Sequence, residues 1–175
     1  MAVLYSEDEA LTHAVFDALM GALSEPGQIK TLPQQGLAQI IPTLIDLDTT
    51  AHNLVPELEA SLKASRTRQV TLEAALHVFA PDAETAVKIA PHLAIGSALY
   101  PDQGATLYLS AAHRGTKLRL SGPGIRSVVE VETALPAIFW QIRDEISAYP
   151  EGFELVLVDG DQILAIPRST KVECL

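Results

Sequence analysis

The residue types best suited to grip an anion sit in Pro167-Arg168-Ser169-Thr170. Proline fixes the local backbone. The guanidinium that follows offers a bidentate fork for a carboxylate or a phosphate, and two hydroxyls stand beside it. A second segment, Ser121-Gly122-Pro123-Gly124-Ile125-Arg126, has glycines that let backbone N–H groups approach an anion, with a cation at its end. Against that, Pro123 removes a donor and no Lys-Ser/Thr follows, so a turn between elements is the better reading. Arg168, Ser169, Thr170, Gly122, Gly124 and Arg126 are therefore the candidate ligand or interface contacts. Two readings follow. Either both segments converge on one pocket for a phosphate- or phosphonate-like ligand, or Arg168 makes an intra- or inter-subunit contact with a carboxylate. The second is preferred, since most arginines bind protein groups.

Other chemistry finds no support. The five histidines, at 13, 52, 77, 92 and 113, form neither H-x-H nor H-E-x-x-H, so no metal is expected. There is no G-x-S-x-G and no Walker A sequence. Cys174 has no apparent base or resolving partner. None of Lys30, Lys63, Lys88, Lys117 or Lys171 lies in a recognisable Schiff-base context. No catalytic residue and no cofactor are expected.

The frame is a chain of 175 residues, 48% apolar and 19% charged. This suits one globular domain over 1–175, able to bury roughly 70% of its unfolded surface. The low charged fraction leaves apolar surface for a second copy or a partner. Twelve Lys and Arg against 22 Asp and Glu give a net charge of −10, which argues against a nucleic-acid binder. One cysteine cannot form an internal disulfide. The N-terminal stretch lacks the pattern of a secretory signal, and no apolar run reaches the ~18 residues of a membrane span. The expected location is cytoplasmic.

The elements that would position these residues follow from pattern. Ser6-Glu-Asp-Glu9 spells a capping box, and Leu11, Val15, Leu19 and Leu23 form an apolar stripe ended by Glu25-Pro26-Gly27. A second helical stretch is expected over 37–48, and another around 56–63. Residues 75–80 read as a strand that His77 interrupts, and Asp82 caps a helix running to about Leu93. Residues 105–112 and 117–122 read as paired strands of a hairpin. Leu135, Ile138, Phe139, Ile142 and Ile146 mark a helix over 134–148. Asp159-Gly160 joins two apolar strands, the strongest hairpin signal in the chain. Pro167 ends the second strand, and a short polar tail leaves the sheet. The sum is α/β: a mixed sheet with helices packed on it.

Four blocks in order, FDALMGALSEPGQI, YPDQGATLYL, LRLSGPGI and YPEGFELVLVDGDQILAIPRSTKVE, resemble the PhnH family, the H subunit of the bacterial carbon–phosphorus lyase system for phosphonate degradation. Residues 30–98 match only in rough pattern. Asp17 stands where the family usually has Arg, Leu23 replaces Met, Ser169 replaces Thr, and His77 falls where an acidic residue is usual. The resemblance implies a small fold similar to pyridoxal-phosphate-dependent transferases but without the cofactor. It implies a homodimer that joins the G, I and J subunits in a core complex. It further implies that, with the G, I and L subunits, the chain supports displacement of adenine from ATP by an alkylphosphonate, giving a ribose 1-phosphonate 5-triphosphate. No catalytic residue of this subunit comes with the resemblance. The alternative is an independent small-molecule enzyme or binding domain for an anionic ligand.

Overall fold

The computed structural model describes residues 6–175; the first five residues of the stretch read as lacking a signal lie outside them. Helix α1 (Glu7–Ser24) opens with the expected capping box. The Ser6 hydroxyl accepts from the Glu9 N–H at 3.3 Å, and the Glu9 carboxylate accepts from the Ser6 N–H at 2.8 Å. Acidic side chains at 7, 8 and 9 add favourable charge at the positive end of the helix. Val15, Ala18, Leu19 and Ala22 are buried, while Phe16 and Met20 stay exposed.

Seven strands build the main sheet: β1 (Lys30–Thr31), β2 (Thr50–Asn53), β3 (Arg68–Gln69), β4 (His77–Ala80), β5 (Thr106–Ser110), β8 (Glu154–Asp159) and β9 (Gln162–Ile166). Their order is β1-β9-β8-β5-β4-β2-β3. The five from β8 to β3 run parallel, while β9 and β1 are antiparallel additions at one side. A second, wholly antiparallel sheet is ordered β10-β6-β7, from β6 (Thr116–Ser121), β7 (Val129–Thr133) and β10 (Lys171–Cys174). The other α-helices among the described residues are α2 (Ile41–Leu44), α3 (Glu59–Ser65), α4 (Ala83–Ile89) and α5 (Ala137–Ile146). No helix among the described residues is long and apolar enough to cross a membrane.

Both faces of the main sheet are covered. On one, α1, residues 37–45 and α3 pack on Phe79, Tyr108, Val156, Val158, Ile163 and Ala165. On the other, α4, α5 and the small sheet pack on Val78, Leu107, Leu109, Leu155, Leu157 and Ile166. Consecutive residues such as Leu155 to Val158 are therefore all buried, as expected for central parallel strands.

The structure corrects several expectations. Strands β5 and β6 are not a hairpin: β5 pairs with β4 and β8, whereas β6 pairs with β7 and β10. The apolar β8 run is buried on both faces and claims the free edge of β5, and residues 111–115 lead the chain out to the other sheet. The polar tail is a strand: Lys171 to Cys174 pairs with Ser121 to Leu118. There Arg119 lies between Glu130 and Glu173, at 3.4 and 3.8 Å. The helix over 37–48 is a 3₁₀ turn at 37–40 followed by α2, with Pro42 in its first turn, and it stops at Leu44. Strands β2 and β3 flank the helix found at 56–65. Asp82 does cap α4, accepting from the Thr85 N–H at 2.8 Å. On α5, Ile138 is 49% exposed, and the buried face is Phe139, Trp140 and Arg143.

Candidate functional site

Strand β9 ends at Pro167, which has no N–H to give a ladder. The chain then turns, the Thr170 N–H donating to the Pro167 carbonyl at 2.9 Å. Strand register brings Leu155 opposite Ile166, so Glu154 stands beside this turn. Its carboxylate accepts from the Arg168 backbone N–H at 2.8 Å and from Arg168 Nε at 2.5 Å. The same guanidinium donates to the Pro101 carbonyl. Two glycines make room for it. A Cβ on Gly104 would fall 2.8 Å from Arg168 Nη1 and 2.4 Å from the Gly152 carbonyl; one on Gly152, at φ +145°, would fall 3.1 Å from Arg168 Cβ. Arg168 thus ties together the segments 101–104, 152–154 and 167–170.

The glycine loop is bound to other backbone. A Cβ on Gly122 would fall 2.9 Å from the Ser169 carbonyl, and one on Gly124 would fall 2.2 Å from the Ser24 carbonyl. The loop packs between the Ser169 turn and the end of α1. Exposed Arg126 borders an open groove with Glu25, Pro26 and Gln28. Arg168, Ser169 and Thr170 line a different cleft, of about 200 Å³, with Trp140, Arg143, Asp144, Ser147 and Lys171. The two candidate segments therefore touch at Gly122 but do not share a pocket.

Arg143, which sequence reasoning missed, also lines that second cleft. Only 4% of it is exposed. Nη2 donates to the Pro167 carbonyl at 2.8 Å and Nη1 to the Thr170 carbonyl at 3.3 Å. The guanidinium carbon sits 5.9 Å from the centre of the Phe153 ring, within cation–π range. Burial pushes its pKa down to about 10, with the charges of Glu154 and Asp144 opposing the fall. It remains a cation at neutral pH. Nε, the Thr170 hydroxyl and the Ser147 hydroxyl are buried without a hydrogen-bond partner. The available signal was spacing: Arg143 falls four residues after Phe139, on the apolar face of α5.

No group of three His, Cys, Asp or Glu among the described residues is placed to hold a metal. Burial raises the pKa of the Cys174 thiol, which weakens it as a nucleophile. His77 donates to or accepts from the Tyr108 hydroxyl at 3.0 Å and stacks on its ring. These contacts hold two strands together and present no nucleophile–base pair. The arrangement around Arg143 gathers a buried cation and unpartnered polar atoms in one place.

The model of the bacterial phosphonate metabolism protein PhnH matches residues 5–173. The chain belongs to the PhnH family. Among its relatives, a protein of Stutzerimonas stutzeri named as a putative C-P lyase subunit, HtxG, is 33% identical over 166 residues, covering 90% of this chain and 83% of the relative. The alpha-D-ribose 1-methylphosphonate 5-triphosphate synthase subunit PhnH of Rhizobium meliloti (strain 1021) is 36% identical over 86 residues, 46% of this chain and 42% of that protein. The PhnH match takes in α1, both sheets, and the turn that carries Arg168.

Proposed function

We propose that the chain acts as the H-type subunit of a carbon–phosphorus lyase system. In this reading residues 1–175 form one cytoplasmic domain and pair with a second copy. They join G, I and J subunits, and with G, I and L subunits support formation of ribose 1-alkylphosphonate 5-triphosphate from ATP and an alkylphosphonate. The observation that carries it is the PhnH match over residues 5–173, supported by the relatives' names. The chain's role is structural or accessory. In support, Arg168 is spent on Glu154 and Pro101. A likeness to pyridoxal-phosphate transferases belongs to the same proposal, supported by the mostly parallel sheet covered on both faces.

Two measurements test this. The chain co-expressed with tagged G, I and J subunits should co-purify with them, and it should release no adenine from ATP and methylphosphonate on its own. Adenine release that requires G, I and L together with this chain is the expected result. Robust release by the chain alone, or its absence from the purified complex, would overturn the proposal.

A further inference from the structure

We propose that the cleft between α5 and residues 168–172 binds a small tetrahedral oxyanion, a phosphate or phosphonate group, through Arg143, Thr170 and Ser147, with exposed Lys171 beside it. Arg143 is a buried cation with no carboxylate at ion-pair distance among the described residues. Burying a charge without a paired counter-charge is costly, and two backbone carbonyls, one ring and the more distant charges of Glu154 and Asp144 offset only part of that cost. Three unpartnered polar atoms, Arg143 Nε, Thr170 Oγ1 and Ser147 Oγ, belong to residues lining this one cleft. Native interiors leave few such atoms. The atoms themselves are sealed from solvent, so a change of side-chain rotamer at Ser147 or Thr170 is what turns its oxygen to the ligand.

Charge points the same way. The chain carries −10 overall, yet, with Arg168 neutralised by Glu154, this cleft still sets Arg143 and Lys171 against Asp144 alone. Glu154, the nearby carboxylate, is engaged by Arg168. Several donor-bearing side chains lining one cleft suit an anion with several equivalent oxygens. The volume of about 200 Å³ is below the roughly 300–1,000 Å³ of pockets for larger ligands, so the cleft takes a compact anion and excludes a nucleotide. The inference stands on these contacts and is independent of complex membership.

The test is titration of the full chain by calorimetry with inorganic phosphate, methylphosphonate and acetate at matched ionic strength. Saturable binding of the first two at millimolar concentration or tighter is expected. Lys171→Ala should weaken it at least threefold, and Asp144→Asn should tighten it by a similar factor. Both positions are exposed, so folding is preserved. Arg143→Lys and Thr170→Val, checked for folding by circular dichroism, should each weaken binding more than Lys171→Ala does. Failure of phosphate and methylphosphonate to bind at 10-millimolar order, acetate binding equally well, or affinities unmoved in Lys171→Ala and Asp144→Asn would each overturn the site.

Discussion

His77 gives the chain a stability that depends on pH. It is half-buried in β4, with Nδ1 3.0 Å from the Tyr108 hydroxyl. Burial lowers its pKa from 6.5 to about 4, and the charge of Asp46 opposes this weakly. The folded state therefore binds the proton less readily than the unfolded state between these two values. Stability is full above pH 6.5, falls as pH drops through the window, and levels off near pH 4. At 1.36 kcal/mol per pH unit, the effect is capped at about 3 kcal/mol, of which about 2 kcal/mol is lost between pH 7 and pH 5. The perturbation is His77→Gln, whose amide can still bond the Tyr108 hydroxyl but does not titrate. Urea unfolding of both proteins at pH 7, 6 and 5 isolates the histidine. Exposed carboxylates with lowered pKa values, Glu9, Glu59, Glu73 and Asp82, are common to both proteins and cancel in the comparison. The wild type should lose about 2 kcal/mol more than the variant. Parallel curves, within about 0.5 kcal/mol, would refute the assignment of a neutral, desolvated His77.

Arg168→Ala should cost about 2–3 kcal/mol in chemical unfolding, because it leaves Glu154 half-buried with only a backbone N–H donor; unchanged stability together with unchanged assembly would count against its tying role. Gly27→Ala should destabilise by more than about 1 kcal/mol, since φ is +89° and the new Cβ would lie 2.4 Å from Val129 Cγ1; a thermal midpoint equal to wild type would contradict that packing. Leu109→Ala, fully buried in β5, should cost about 2–5 kcal/mol by the same assay, and a loss under 1 kcal/mol would show that the site collapses readily.

Signals carried within a few residues were legible. The capping box at Ser6, the cap at Asp82 and the hairpin after Asp159 each depend on neighbours two or three positions away, and all three are found, the hairpin with its loop one residue later, at Gly160-Asp161. Pairing across longer separations was not. Alternation in Leu118 and Leu120 announces a strand but does not name its partner, and the partners are β7 and a tail that reads as polar. The pattern Val129-Glu-Val-Glu-Thr133 alternates just as clearly and was not read as a strand. At the candidate site, Arg168 and its turn were legible from Pro167. Its partner Glu154 follows only from the observed register, in which Asp159 pairs with Gln162 across a Gly160-Asp161 loop; a loop at Asp159-Gly160 would set Glu154 opposite Ala165 instead. Arg143 was hidden because a helical arginine ordinarily faces water. Its burial is produced by carbonyls 24 and 27 positions further along the chain.

The position of β8 has a consequence for synthesis. It lies in the interior of the main sheet, between β5 and β9, and β9 in turn carries β1 and much of the α1 contact. A ribosome that has reached residue 150 has made everything from α1 to α5 but neither β8 nor β9, which complete the main sheet beside β5. Helix α1 then lacks most of its seat, and β5 presents a bare apolar edge, a ready template for other chains. Folding of this chain therefore waits for the residues after 150 to emerge, and the nascent chain is the form most exposed to aggregation.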